Sequence, residues 1–226
     1  MKLSKRLLAV AEMVTPGMVV TDIGTDHGYV PIYLVENNIC PSAIAMDVNQ
    51  GPILRAESHI LDAGLEDKIQ IRLSNGFENI KPGEADCAVI AGMGGELMVK
   101  ILENGRAVVD KLKEMVLSPH SEIFLVRQCV HEMGLLIADE KMVFDEGKYY
   151  TIIRVKSGNE EKYSEIENKY GRILIKKKDP VFVEYINREK SKIEKIIEKI
   201  ESDGGDNSSE RLGELKRNLM ELNVIL

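Results

Sequence analysis

The sequence predicts an α/β fold: a doubly wound, mostly parallel seven-stranded sheet with an antiparallel edge strand. Three features predict it. Short β-rich runs alternate with helical stretches. Several runs end in an acid, an amide or a glycine, the residues that turn a chain out of a strand. The alternation breaks only at the last two strands, which read as a hairpin.

The elements follow in order. Leu3 to Val14 reads as an amphipathic helix, not a signal peptide, because no long apolar stretch or small-residue cleavage site follows Lys2, Lys5 and Arg6. Met18 to Gly24 is a first strand, ending at Asp22-Ile23-Gly24. A helix runs from Val30 to Glu36, with Pro31 in its first turn. Ser42 to Asp47 is a second strand, and Pro52 to Ala63 a helix. Ile69 to Leu73 is a third strand, followed by Ser74-Asn75-Gly76. Asp86 to Ala91 is a fourth, followed by Gly92-Met93-Gly94-Gly95 and a helix from Glu96 to Asn104. Met115 to Leu117 is a fifth, followed by Ser118-Pro119-His120 and a helix from Glu122 to Met133. Leu135 to Phe144 and Tyr149 to Val155 are strands joined by the turn signal Asp145-Glu146-Gly147-Lys148.

After residue 157 the composition changes, which divides the chain into 1–157 and a helical part, 158–226. Apolar Ile186, Ile193, Ile196, Ile197 and Ile200, then Leu212, Leu215, Leu219 and Leu222, predict two helices packed antiparallel through a narrow seam, a coiled-coil hairpin turning at Asp203 to Ser209.

Bulk composition excludes several classes. Of 226 residues 44% are hydrophobic, enough for a packed core. No apolar run approaches the roughly 20 residues of a membrane span. Cys40, Cys87 and Cys129 are odd in number and far apart, as expected of thiols in a reducing cytoplasm rather than disulfides. His27, His59, His120 and His131 lack metal-ligand spacing, so no metal is expected; His59 and His131 read as helix-surface residues. The net charge of −7 argues against nucleic acid as a general partner. The stretch Lys169 to Lys199 departs from it, with ten basic residues against five acidic ones. It fits either a solvated helix with intrahelical ion pairs or a phosphate-contacting surface.

The chemistry concentrates at the strand ends, where ligands of doubly wound sheets bind. A dinucleotide-binding turn needs a glycine where the backbone meets a pyrophosphate. Here Asp22-Ile23-Gly24-Thr25-Asp26-His27-Gly28 puts Asp26 in that place. A carboxylate there repels phosphate. S-adenosylmethionine is free of phosphate and carries a sulfonium and an ammonium. Asp22 can draw its cationic end, Gly24 admits close backbone approach, Asp47 suits the ribose hydroxyls, and Asn75 suits the adenine edge. Asp22 and Asp47 could instead cap the helices that follow them. Ala91-Gly92-Met93-Gly94-Gly95 gives a wall of little bulk where the reacting atoms should meet. Asp26 and His27 could orient an acceptor nitrogen, and Tyr29, Tyr149 and Tyr150 could stack on a base; capping and packing are the alternatives.

Together, Asp22 to Gly28 with Tyr29-Val30-Pro31-Ile32-Tyr33-Leu34, Asn49-Gln50-Gly51-Pro52, Asn75-Gly76, Ala91-Gly92-Met93-Gly94-Gly95, Glu146-Gly147-Lys148-Tyr149-Tyr150 and the opening Leu3-Ser4-Lys5-Arg6-Leu7 resemble the bacterial tRNA adenine-N1 methyltransferases that act on adenine 22. The resemblance implies a Rossmann-like class I methyltransferase fold with a C-terminal coiled-coil domain, S-adenosylmethionine as cofactor and tRNA as partner. It implies that Asp22, Gly24, Asp47, Asn75, Gly76 and Gly92 hold the donor, and that Asp26, His27 and Tyr29 lie on the acceptor side. Ser118-Pro119-His120 departs from the family's Gln-Pro-Asn, which leaves the part played by His120 open. A methyltransferase for another RNA position or a small molecule, or an RNA-associated donor-binding protein without turnover, are the alternative functions.

Overall fold

The computed structural model describes residues 2–203 and 209–226. These form two compact units, Met1–Tyr163 and Ser164–Leu226. The turn expected within 203–209 lies largely outside the described residues.

The first unit begins with α1 (Lys5–Glu12), whose first turn is capped by the Ser4 hydroxyl accepting from the Leu7 N–H at 3.3 Å. The expected alternation follows: β1 (Val20–Ile23), α2 (Tyr29–Glu36), β2 (Ala43–Asp47), α3 (Gln50–Asp62), β3 (Ile69–Leu73), β4 (Cys87–Ala91), α4 (Gly95–Asn104), a short α5 (Arg106–Val109), β5 (Glu114–Ser118), α6 (Ile123–Glu132), β6 (Leu135–Asp145) and β7 (Lys148–Ser157). Of these only α5 has no counterpart in the sequence reading. It is a single turn, too short to show a period.

The strands form one sheet in the order β3-β2-β1-β4-β5-β7-β6. The five strands β3, β2, β1, β4 and β5 pair in parallel. At one edge β7 pairs antiparallel with both β5 and β6. Every residue of β1 and of β5 is buried, because helices cover both faces of the parallel region. The reversal of strand order falls between β1 and β4, which places the ends of β1, β2 and β4 side by side. Val10, Leu34, Ala45, Cys87, Val89 and Ile152 pack in the core beneath them. Cys40, Cys87 and Cys129 are buried free thiols.

The first unit continues past β7, six residues beyond the expected boundary at 157. Glu160 explains the extension: its carboxylate accepts from the Ile137 N–H at 2.6 Å and lies 3.0 Å from His131 Nε2. Tyr163 packs on the same imidazole, ring centroids 4.4 Å apart. His131 is thus a half-buried anchor for residues 158–163 and not a surface residue.

The second unit holds α7 (Glu165–Tyr170), α8 (Arg172–Lys177), α9 (Pro180–Asp203) and α10 (Ser209–Ile225). The sequence pattern foresaw α9 and α10, which pack together, and missed the two short helices. A capping box opens α7, with Ser164 and Glu167 bonded reciprocally. Ile186, Ile197 and Leu222 are buried. Ile196 is 40% exposed and leaves the expected seam. The positions 186, 193, 197 and 200 keep a helical face; 196 falls off it.

Among the described residues no helix is long and apolar enough to cross a membrane, and no group of three or more His, Cys, Asp or Glu could hold a metal ion.

Candidate active site

The loop from β1 to α2 is built around left-handed backbone. Gly24, Asp26 and Gly28 all have positive φ, at 78°, 45° and 71°. The Gly24 and Thr25 N–H groups both donate to the Met46 carbonyl, at 2.8 and 3.0 Å, which ties the loop to the end of β2. At Gly24 the positive φ disfavours a side chain, and a Cβ would have to displace the terminal methyl of Met93. Asp26 adopts a conformation that costs a non-glycine residue energy, and strain of this kind collects at functional sites.

This loop borders a cavity of about 350 Å³ above the ends of β1 and β4. Asp22, Gly24, Asp26, His27, Tyr29 and Gly92 all line it, so the structure brings together most of the residues singled out from sequence. Arg6, Thr25 and His120 also reach it, from α1, from the loop and from beyond β5.

Asp22 is the buried charge of this wall. Burial pushes its carboxyl up to about 6; the Thr25 hydroxyl works in the opposite direction, and the charge of Asp47 adds to the rise. Asp47 itself ends β2, half-buried, and its Oδ1 accepts from the Asn49 N–H at 2.8 Å.

Asn75 and Gly76 lie elsewhere. They line a separate cavity of about 240 Å³ with Phe77, Ile101 and Gly105. The Asn75 amide donates to the Glu78 carboxylate at 2.8 Å.

At the mouth, three rings gather. His27 and Tyr29 stack with centroids 4.9 Å apart and planes 10° apart, and the His59 ring lies 5.3 Å from Tyr29 and 5.5 Å from His27. His59 Nδ1 is 2.9 Å from the His27 carbonyl oxygen. His59 therefore belongs to the site's support and not to a free helix surface; the fold brings α3 against the loop, which spacing along the chain does not reveal. Asp26 is exposed and paired, with Arg55 Nη2 at 2.5 Å and His27 Nε2 at 3.5 Å.

On the opposite side, His120 and Arg6 face Gly92, where a Cβ would lie 3.6 Å from Arg6 Nη1 and 3.8 Å from the His120 ring. The Tyr150 ring of β7 packs against both, 5.5 Å from His120 and 5.4 Å from the Arg6 guanidinium carbon. Burial, then the positive charges of Arg6 and Lys148, hold His120 below its ordinary range, so it is uncharged at neutral pH. Sequence reading missed Arg6 and Thr25 as wall residues. Arg6 had a signal in the opening Leu3-Ser4-Lys5-Arg6-Leu7, but nothing in the spacing could show that α1 delivers it beside Gly92.

A doubly wound sheet with a buried acid near the end of β1, a left-handed glycine just past that strand and an acid as the last residue of β2 defines a class I methyltransferase. A family model described as a methyltransferase domain matches residues 3–153. The chain is 35% identical over 205 residues to the tRNA (adenine(22)-N(1))-methyltransferase of Bacillus subtilis, covering 88% of this chain and 86% of the relative. The crystal structure of the B. subtilis M1A22 tRNA methyltransferase TrmK is 34% identical and superposes with a TM-score of 0.85 over 99% of this chain and 98% of that one. Streptococcus pneumoniae Sp1610 in complex with S-adenosyl-L-methionine is 32% identical, with a TM-score of 0.88 over the whole of both chains. The chain belongs to the tRNA (adenine(22)-N(1))-methyltransferase family.

Proposed function

We propose that this protein acts in the cytoplasm and transfers a methyl group from S-adenosylmethionine to N1 of adenine 22 in tRNA. The observation that carries the reading is the cavity over β1 and β4, where a buried carboxylate, a left-handed glycine and a set of aromatic rings converge.

The residues present fit the donor. A carboxyl raised by burial, as Asp22 is, gains from a cationic ligand. Gly24 leaves its backbone approachable, and the atom over it is the end of a flexible Met93 side chain, which can swing aside. Asp47 offers two acceptor oxygens at the neighbouring strand end for vicinal hydroxyls. Gly92 completes the floor. Asn75 and Gly76, in their separate cavity, would serve the adenine of the donor. When bound, S-adenosylmethionine supplies an electrophilic methyl group to the N1 lone pair.

The acceptor side needs no general base, because N1 of neutral adenine carries no proton. The work of the wall is to position the base and to tolerate its charge. N1 lies on the Watson–Crick edge, so the base must be unpaired to enter. His27 and Tyr29, backed by His59, offer ring faces for stacking. The product base is cationic. Asp26 places negative charge at the mouth, shared with Arg55, and neutral His120 adds no opposing charge.

The tRNA body is assigned to the second unit, Ser164–Leu226, and its basic stretch. The test is incubation of the protein with unmodified tRNA and S-adenosylmethionine, followed by mapping of methylated nucleosides. N1-methyladenine at position 22 is expected. Another product would assign another acceptor, and donor binding without product would leave a non-catalytic RNA-associated protein.

A further inference from the structure

The β6–β7 hairpin carries aromatic surface that the chemistry above does not use. β7 pairs with β5 only as far as Leu117↔Ile153, while its pairing with β6 continues through Val143↔Tyr150, Phe144↔Tyr149 and Asp145↔Lys148. Residues 148–152 thus carry the ribbon roughly 15 Å past the last β5 pair, beyond the carboxyl ends of the parallel strands, where the cavity opens. Successive register pairs alternate between the two faces of a ribbon. Val143 and Tyr150 share one face: Val143 packs on the core, and Tyr150 packs against His120 and Arg6 in the cavity wall. Phe144 and Tyr149 share the other. Their ring centroids lie 4.7 Å apart with planes 48° apart; Phe144 is 36% exposed and Tyr149 half-buried. A cross-strand aromatic pair stabilises a hairpin, but that role needs no place on the rim of a cavity.

The acceptor reading creates a demand at this rim. A base drawn into the cavity stops stacking on its neighbours in the RNA, which costs free energy. The neighbour stays outside with one π-face uncovered. An aromatic ring covers such a face whatever the base is. The tip is built for stacking more than for phosphate: Lys148 stands beside Asp145 and Glu146, so the turn has no positive excess.

Resting on the tRNA-methylation reading, we propose that Phe144 and Tyr149 form a stacking platform for the unpaired nucleobase next to the target adenine. The hairpin thereby replaces the stacking that the RNA loses when the target leaves its place.

Methylation of two kinds of tRNA by the full chain tests this: intact tRNA, and tRNA with an abasic sugar directly 5′ or directly 3′ of the target adenine. The quantity read is the ratio of KM for abasic tRNA to KM for intact tRNA. Loss of the base also eases extrusion of the target, and that part is common to all variants and cancels between them. For one of the two abasic positions the ratio should be about 5- to 100-fold larger for the wild type than for Phe144→Leu/Tyr149→Leu, the range for one base on an aromatic ring. S-adenosylmethionine affinity and kcat should not change. Tyr149→Phe keeps the ring and should match the wild type. Equal ratios for the wild type and the Leu pair at both positions overturn the proposal and leave the rings as a hairpin support. A Tyr149→Phe ratio as low as that of the Leu pair also overturns it, because the hydroxyl and not the ring face would then carry the effect. If the Leu pair does not fold, Phe144→Leu alone gives the same comparison. If the wild type methylates no tRNA, the methyltransferase reading fails, and filter binding of the same RNAs still reads the ratio.

Discussion

In the first unit Arg127 of α6 and Glu140 of β6 meet at 2.8 Å with side chains 1% and 0% exposed. In the second unit Lys169 and Glu221 meet at 2.7 Å with side chains 45% and 31% exposed. The distances are alike and the surroundings are not. The first unit buries its decisive charges, Asp22 among them, where the low dielectric makes each partner matter. The second leaves its charges in water, where a pair contributes little to the fold and remains available to a polyanion. This contrast fits the ligands proposed for the two units: a small donor needs a fixed, dry site, while many weak contacts suit a polyanion.

The largest expected effect lies at the buried pair. Arg127→Met leaves Glu140 charged and buried, and should destabilise the protein by about 3–5 kcal/mol. Urea unfolding measures it. A loss no larger than that of an exposed pair would break the contrast at its strongest point.

Asp22 gives the next effect, with the opposite sign. Its folded pKa of about 6 lies above the ordinary 3.8. Between those values the folded chain holds a proton that the unfolded chain has lost. The contribution of this group to stability therefore falls as pH rises from about 4 to about 6, and stays low above that. Asp22→Asn removes the penalty. Without donor it should be more stable than the wild type at pH 7.5 by on the order of 2–3 kcal/mol, with the gain vanishing below pH 4. The same variant should bind S-adenosylmethionine at least about tenfold more weakly. Unfolding curves at the two pH values, with calorimetry beside them, show whether stability and affinity move in opposite directions, as expected for a site strained in favour of its ligand.

The basic stretch sharpens the other side of the contrast. Replacing Lys176, Lys177 and Lys178 together by Gln should leave donor affinity unchanged and weaken tRNA binding. The slope of log affinity against log salt should shrink by about 2, since each phosphate contact contributes somewhat less than one unit. Filter binding of tRNA at several salt concentrations decides it. An unchanged slope would leave these residues as a solvated helix surface.

The fold was legible because it rests on local signals that agree. The runs ending at Asp22, Asp47 and Gly92 carry both the strand pattern and its stop, and Asp145-Glu146-Gly147-Lys148 marks the hairpin. The short helices α5, α7 and α8 were not, since fewer than two turns give no period. In the site, Asp22, Gly24, Asp26, His27, Tyr29 and Gly92 were legible because each sits at a strand end or in the turn from β1 into α2, where topology alone brings residues together. Arg6, His59 and His120 were not assigned, because they converge through packing: α1 against β7, α3 against the β1–α2 loop, and the segment after β5 against Tyr150. Asn75 and Gly76 show the reverse case. They follow the edge strand β3 and border a second cavity, so topology alone does not join them to the other strand ends.

The smallest effect tests the exposed end of the comparison. Lys216 and Glu201 pair at 2.8 Å, both side chains 49% exposed. The distance is ideal, so geometry alone would rank this pair beside Arg127 and Glu140. Solvent screening and the entropy of holding two long side chains rank it far lower, and Lys216→Ala should shift stability by no more than about 0.5 kcal/mol. Because Lys216 and Glu201 join α10 to α9, a loss above about 1 kcal/mol would mean that the helices depend on surface ion pairs more than on the seam of Ile186, Ile197 and Leu222. The division between buried and exposed charge would then no longer separate the first unit from the second.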